Sequence, residues 1–444
     1  MQVTIHRGTH QIGGTCIELR SDNTRIILDY GMPLSGREGK EFDEKQLSGK
    51  SINELIQDKI LFSIPGLYVG EAPTVNAVLI SHSHKDHYGL LKFVNPDIPA
   101  YISEGALKLI NVLNVFTRES SHVNIAKPCA VKHKESFYIG GFRITPYLVD
   151  HSGFDAMSFL IEDKATGKRL FYSGDFRASG WKKPLFVRFI KNPPKNIDCL
   201  LMEGTMIERE GGRYPDEGAV LKRMVEILSK PDKNVTLSYC SSQNIDRIVT
   251  FYKACRGTKT TLVIDPYTAT VLHVLKNKHN SIPQMDWQNI RVLIGNYRGI
   301  GDPYINKIVK SDFKYLTFSL GKHKIKSWNI GKDGKHLVLM RDSMIPLIKK
   351  IPGIDGVRLI YSQWEGYVKD RDKAKTFWDF VEHYNLTFEK VHTSGHATAD
   401  VLKRFAGALD PKRIIPVHTE WPGKFKAYFG KNVMPVEDGQ VIEI

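Results

Sequence analysis

Four side chains able to hold a metal ion fall within six residues of this chain, in the run His82-Ser83-His84-Lys85-Asp86-His87. An apolar stretch, Val75 to Ile80, precedes it and reads as a buried strand. Tyr88-Gly89-Leu90-Leu91 follows and reads as the start of a helix. Imidazole and carboxylate donors together suit zinc or a similar divalent ion. One tetrahedral ion cannot take all four donors from one tight turn. His82 and His84 are two apart, so in extended chain they project the same way, whereas Asp86 and His87 enter the helix and point elsewhere. The spacing therefore implies two adjacent ions, each needing further ligands from distant chain. A surface turn merely rich in histidine is the alternative, and the buried strand before it argues against that.

Further donors sit at other strand ends. The strand Phe142 to Leu148 leads into Val149-Asp150-His151, and Arg169 to Tyr172 leads into Ser173-Gly174-Asp175. Near the end of the chain, Ile414-Ile415-Pro416-Val417 leads into His418. Together these complete two sites: His82, His84 and His151 for one ion, Asp86, His87 and His418 for the other, and Asp175 bridging them. Asp29 follows the apolar Ile26-Ile27-Leu28 and reads either as a strand-end cap or as the carboxylate that accepts a ligand histidine's free N–H, the second being favoured. Glu203 ends a strand over Ile197 to Met202 and is a candidate acid, base or orienting group.

A chain of 444 residues exceeds one ordinary core, so two domains are expected. From about residue 206 to about 385 the pattern changes to helix and strand in alternation, the rhythm of a parallel sheet. Because His418 lies far beyond Asp175, the first domain must resume after the second, which makes residues 206–385 an insert between residues 1–205 and 386–444. Within the insert, Ser241, Ser242 and Asn244 precede a helix, where they suit either a phosphate or an ordinary helix cap. Between Lys307 and Lys335 lysines recur, with Tyr315, Phe318 and Trp328 interleaved. That mixture suits single-stranded nucleic acid, and a solvated basic loop with its aromatics in the core explains it almost as well. The net charge of +15 points to a polyanionic partner. Five cysteines without a close pair favour a reducing, cytoplasmic setting. The opening MQVTIHRG enters a strand pattern directly, so no signal peptide is expected, and no apolar stretch is long enough for a membrane span.

The set His82-x-His84-x-Asp86-His87, His151 and Asp175 resembles the metallo-β-lactamase signature. Glu203, His396 in Ser-Gly-His-Ala and His418 in Pro-Val-His-Thr-Glu resemble the additional motifs of the β-CASP nucleases, the group of ribonuclease J, the pre-mRNA cleavage factors and the Artemis-type DNA nucleases. The resemblance covers nearly the whole chain. It implies an α/β fold: an αββα metallo-β-lactamase sandwich with an inserted β-CASP α/β domain, and a site in the cleft between them. It further implies a metal-dependent nuclease that hydrolyses phosphodiester bonds in RNA, with two divalent ions, Zn2+ or alternatively Mn2+. A histidine at the place of His418 goes with RNA in that family, which leaves single-stranded DNA, and the DNA nucleases, as the alternative. A small-molecule metallo-hydrolase is a more distant alternative, since it needs no second domain over its site. Two departures stand out. The first loop carries His10 where ribonuclease J relatives place an acidic residue nearby, and no counterpart of their C-terminal dimerisation domain is expected, so oligomeric state does not carry over.

Chemically, the resemblance makes Asp86, Glu203 and His396 the candidate catalytic residues. Two ions would lower the pKa of a shared water and the resulting hydroxide would attack the phosphate in line. His396 would protonate the leaving oxygen, with Glu203 bonded to it and raising its pKa. Ser394 and the backbone N–H groups of Gly395 and Ala397 would hold a neighbouring phosphate.

Overall fold

The computed structural model describes every residue except 37–40, 210–211, 232, 278–280, 298 and 300. Residues 35 to 60 read in the sequence as a polar and charged excursion before the metal strand, with a helical pattern at Ile52 to Ile60, and residues 37–40 of it lie outside the described residues. The chain divides into two compact units: Met1–Gly211 with Gly395–Ile444, and Gly212–Ser394.

The first unit opens with strands β1 (Gln2–Arg7), β2 (Cys16–Ser21), β3 (Thr24–Tyr30), β4 (Ala77–Leu79), β5 (Ala100–Ser103) and β6 (Pro128–Val131). It continues with β7 (Phe137–Ile139), β8 (Phe142–Leu148), β9 (Met157–Asp163), β10 (Arg169–Tyr172) and β11 (Cys199–Glu203). The second unit holds β12 (Val235–Tyr239), β13 (Thr261–Ile264), β14 (Ile290–Leu293), β15 (Lys324–Ile325), β16 (His336–Met340), β17 (Arg358–Tyr361) and β18 (Thr387–Lys390). The first unit then resumes with β19 (Arg413–Val417) and β20 (Val441–Glu443).

Two sheets build the first unit, in the orders β20-β1-β2-β3-β4-β5-β6 and β19-β11-β10-β9-β8-β7. Strand periodicity decides which side chains meet. Ile26 and Leu28 from one sheet join Phe159, Leu170 and Leu201 from the other in a single buried cluster. Their alternates face outward: Ile27 and Val78 pack on helix residues Leu55 and Ile110, and Phe171 and Leu200 pack on Phe186 and Phe405. Both faces of both sheets are thus covered, giving the αββα sandwich. Each such side chain contributes roughly 1.5–3 kcal/mol by leaving water.

Pairing direction brings the site together. β3 and β4 run parallel with Leu28 opposite Leu79, so Asp29 and the metal turn emerge at one end. β10, β11 and β19 also run parallel, with Tyr172 opposite Leu201 and Glu203 opposite Val417. Asp175, Glu203 and His418 therefore leave their sheet at a common end.

All six pairings in the second unit's sheet, ordered β15-β14-β13-β16-β12-β17-β18, are parallel. This unit runs to Ser394 rather than to residue 385, because β18 pairs with β17 in its sheet. It starts at Gly212 rather than 206, because Met206 bridges to Thr398 in the first unit. The helix expected to begin at Tyr88 instead ends there: it is one turn, Lys85–Tyr88, closed by Gly89 N–H donating to the Lys85 carbonyl. Leu90 N–H then donates to the carbonyl of Tyr30 and leaves the helical path. The helix expected over Ile52 to Ile60 stops at Gln57, started by a capping box of Ser51 and Glu54. Among the described residues no helix is long and apolar enough to cross a membrane.

Candidate metal centre

The turn after β4 is strapped to the end of β3. Thr15 N–H donates to the Asp86 carbonyl at 3.1 Å and Met32 N–H to the Lys85 carbonyl at 2.9 Å. Gly31 is required there, since a Cβ would lie 1.7 Å from the Asp86 carbonyl oxygen. Gly153 plays the same part on the other sheet: its Cβ would lie 2.9 Å from the His82 ring and 3.1 Å from that of His151.

Asp29 anchors this end of the fold in a left-handed backbone conformation, φ 54°. Its carboxylate accepts from Ser81 N–H at 2.7 Å, Ser81 Oγ at 2.8 Å, His87 Nδ1 at 2.8 Å and the Tyr172 hydroxyl at 2.6 Å. Because Ser81 gives its proton to Asp29, its oxygen accepts from His82 Nδ1 at 2.9 Å. His151 Nδ1 donates to the Gly395 carbonyl at 2.7 Å. Thr205 Oγ1, 3.5 Å from the His418 carbonyl it donates to, lies 3.0 Å from His418 Nδ1 and accepts from it. Four imidazoles thus spend their Nδ1 protons on fixed acceptors. Each is left with an Nε2 lone pair aimed inward.

Those lone pairs crowd together. His84 Nδ1 lies 3.0 Å from His82 Nε2 and 3.2 Å from His151 Nε2. A single proton on His84 can serve only one of these neighbours. Tetrahedral zinc at 2.0–2.1 Å would space its nitrogens by about 3.3 Å, so the three fit one cation. On the other side, His418 Nε2 lies 3.2 Å from Asp86 Oδ2, and His87 Nε2 lies 3.1 Å from Asp175 Oδ2 and 3.7 Å from Asp86 Oδ2. Among the described residues, His87 Nε2 and Asp175 Oδ1 are buried without a hydrogen-bond partner of acceptable geometry. Asp175 stands between the groups: its Oδ2 is 3.8 Å from His82 Nε2 and its Oδ1 is 3.6 Å from His418 Nδ1. The donor atoms form the clusters His82-His84-His151, His82-His87-Asp175, Asp86-His87-His418 and Asp175-Glu203-His396-His418. Buried donors that crowd without satisfying one another fit divalent metal.

The electrostatics favour neutral imidazole at three of the ligands, whereas at His87 burial is outweighed by the carboxylates of Asp175, Asp86 and Asp29, which raise it well above the usual histidine range. Burial, reinforced by neighbouring imidazoles, pushes His82 and His151 well below the usual histidine range. Burial takes His84 down to about 4. Neutral imidazoles are the form that binds metal. Burial also opposes the charged form of Asp86 and Asp175, but His87 and His418 outweigh it, holding Asp86 at about 2 and Asp175 well below the carboxylate range.

His396 lies at the rim of the set. Its Nδ1 is 3.3 Å from Glu203 Oε2 and 3.7 Å from Asp175 Oδ2. Burial works against its charge, yet the two carboxylates lift it to about 9. Glu203 Oε1 also accepts from Ala397 N–H and Phe176 N–H, each at 3.3 Å. This corrects the expectation for Ala397, whose N–H is turned to Glu203 and not to a phosphate. Gly395 spends its carbonyl on His151, and Ser394 belongs to the second unit. The loop Ser241, Ser242, Asn244 is also corrected. The Asn244 carboxamide caps its helix by accepting from Arg247 N–H at 3.1 Å, and buried Ser242 is bonded to Thr268 and Arg341. Ser241 Oγ accepts from Gln243 N–H at 3.2 Å. His10 is a loop histidine, about half exposed, 2.8 Å from Thr9 Oγ1.

Three contributors escaped the sequence reading: Ser81, Tyr172 and Thr205. Ser81 and Thr205 had a weak signal, being hydroxyls next to His82 and two residues after Glu203. Tyr172 had none, since its partner Asp29 is 143 residues away.

Comparison with known proteins fits this geometry. Residues 54–230 match the model of the Beta-lactamase superfamily domain, and residues 383–434 match the Zn-dependent metallo-hydrolase RNA specificity domain. Ribonuclease J of Mycoplasma genitalium is 25% identical over 426 residues, covering 93% of this chain and 67% of that protein. Ribonuclease J of Corynebacterium glutamicum is 24% identical, covering 93% of this chain and 53% of that one. The chain thus spans two thirds or less of the length of these relatives. The crystal structure of a protein of unknown function from Enterococcus faecalis shares the fold across 99% of both chains, with a TM-score of 0.76 at 20% identity.

Proposed function

Because the chain belongs to the metallo-β-lactamase superfamily, in its β-CASP branch, we propose that it is a metal-dependent ribonuclease hydrolysing phosphodiester bonds of RNA. The observation that carries this reading is the pair His396 and Glu203 standing 3.3 Å apart beside Asp175 at the metal centre. A small-molecule hydrolase needs the metals. A phosphodiesterase also needs a proton for its leaving oxygen.

His82, His84 and His151 would hold one ion, Asp86, His87 and His418 the other, and Asp175 both. Bound divalent ions, zinc on this donor set with manganese the alternative, supply Lewis acidity to the phosphate and acidify water. Asp29, Ser81, Gly395 and Thr205 orient the imidazoles. His396 carries its proton at neutral pH and delivers it to the departing 3′-oxygen. Glu203, 3.3 Å from Nδ1, orients the ring. Ser394 and Gly395, contiguous in sequence with His396, remain the candidate phosphate contacts.

The test is digestion of matched 5′-labelled RNA and DNA strands, and of circular RNA, with zinc or manganese. Cleavage of RNA in preference to DNA is expected, and cut circles would identify endonuclease action. Equal cleavage of DNA would favour a DNA nuclease. No cleavage of any oligonucleotide, alongside turnover of esters or lactams, would overturn the reading.

A further inference from the structure

The second unit carries a surface whose chemistry the metal centre does not use. A single tight turn over Lys314–Leu316 runs into the helix Thr317–Lys322. Leu316 and Leu320, four apart, are buried at 2% and 0% exposure and supply the packing this segment needs. Lys314, Phe318 and Lys322, also four apart, take another face of the same segment and are exposed. Phe318 is 82% exposed and Tyr315 is 60% exposed. The aromatics of this stretch are therefore not core residues, which decides between the two readings the sequence left open. Val309 and Trp328, at 52% and 54%, are exposed on the flanks. Lone exposed apolar groups are ordinary, but here four fall within twenty residues of sequence. The segment leads directly into β15, the edge strand of the sheet.

The charge is predominantly positive: between Val309 and Trp328 stand five lysines and a single acid, the exposed Asp312. Among the described residues, Lys310, Lys314, Lys322 and Lys324 form no ion pair, whereas Lys375 and Lys390 of the same unit are paired with Asp379 and Glu365. A protein partner would have to bring carboxylates to this face, and a second copy would bring the same lysines and a net charge of +15. Flat rings interleaved with uncompensated cations match a polyanion whose bases are open to stacking. A duplex hides those base faces, so the match is to a single strand.

We infer that Lys314, Tyr315, Phe318 and Lys322 form a docking surface for single-stranded nucleic acid, with bases stacked on the two rings and phosphates on the two lysines. It rests on the ribonuclease reading only for the choice of RNA as the strand.

The experiment titrates the full chain, in EDTA so that cleavage is suspended, into a fluorescein-labelled uridine-rich RNA of about 20 nucleotides, long enough to span such a site. Tyr315→Ala with Phe318→Ala is expected to weaken binding roughly 30- to 10⁴-fold. Lys314→Gln with Lys322→Gln is expected to lower the slope of log affinity against log salt by about 1.4, two phosphates' worth for a single strand. Neither pair alters turnover of bis(para-nitrophenyl) phosphate in the metal-loaded protein, and thermal melts check that both fold. Unchanged RNA affinity in both variants overturns the inference. Altered self-association in sedimentation, with RNA affinity unchanged, overturns it in favour of a second copy. If the parent binds RNA through these residues yet cleaves none, the surface stands and the ribonuclease reading fails. If it cleaves RNA while the variants bind normally, the surface fails and the ribonuclease reading stands.

Discussion

Each unit holds a large buried polar cluster, and the two clusters are built in opposite ways. In the second unit, Arg247 meets Glu217 through Nε at 3.1 Å to both carboxylate oxygens and through Nη2 at 2.9 Å, and its Nη1 donates to the Ser362 carbonyl at 3.0 Å. Thr250 Oγ1 completes Glu217 at 2.6 Å. Donors match acceptors, and the network is closed. In the first unit, the Nδ1 atoms are matched as carefully, but the inner atoms are not: His82 and His151 both turn Nε2 on the one Nδ1 of His84, and His87 Nε2 and Asp175 Oδ1 are buried without a hydrogen-bond partner among the described residues. A fully satisfied buried network specifies a fold. One satisfied only on its outer side is shaped for something that is brought to it. The contrast separates a structural cluster from a functional one without reference to any relative.

Several changes would break or sharpen this contrast. The largest effect is expected at His396. His396→Ala should lower RNA cleavage by roughly 10²–10⁴-fold in single-turnover assays while metal content is retained, and unchanged cleavage would remove it from the proton-donor role. Glu217→Ala should act on stability instead. Leaving Arg247 buried and unpaired is expected to cost about 3–5 kcal/mol in denaturant unfolding, with the first unit's affinity for metal unchanged. A large loss of metal in that variant would show that the clusters are not independent. Asp29→Asn weakens the acceptor of His87 Nδ1 without touching the donor set, so metal affinity is expected to fall roughly 10- to 100-fold in a competitive chelator titration.

The smallest effect concerns a closed network in the first unit. Burial resists ionisation of Glu18, but His6 and Arg25 prevail and hold it at about 2. A carboxylate depressed on folding adds stability that is present above its unfolded pKa of about 4.5 and is lost as pH falls through about 2. The melting advantage over Glu18→Gln should therefore be full at pH 6 and shrink between about pH 4.5 and 2, a loss of roughly 1–3 kcal/mol. A pH-independent difference would assign Glu18 a packing role.

Much of the site was legible because its residues stand where strands end. An apolar run followed at once by histidine or carboxylate locates His82, His151, Asp175 and His418, and parallel pairing then gathers those ends. The insert was legible from its alternating pattern, and its limits shifted where Met206 bridged to Thr398 and where β18 joined its sheet. What stayed hidden depends on chain far away. Tyr172 and Thr205 are unremarkable in sequence and acquire their roles from Asp29 and His418 across 143 and 213 residues. Asn244 and Ser242 mislead in the other direction, since a hydroxyl and an amide before a helix look alike whether they cap it or await an anion. Exposure is also invisible to composition: Phe318 reads as core until its neighbours Leu316 and Leu320 are seen to take the inward face.

The central claim is that the half-satisfied cluster of the first unit is completed by metal, with Asp175 shared. Metal content, measured by mass spectrometry after equilibrium dialysis against zinc, tests it most directly in the parent chain and in Asp175→Ala. The account predicts two ions per chain in the parent and one or none in the variant. A parent that binds no zinc and no manganese, or a variant that keeps both ions, would contradict it.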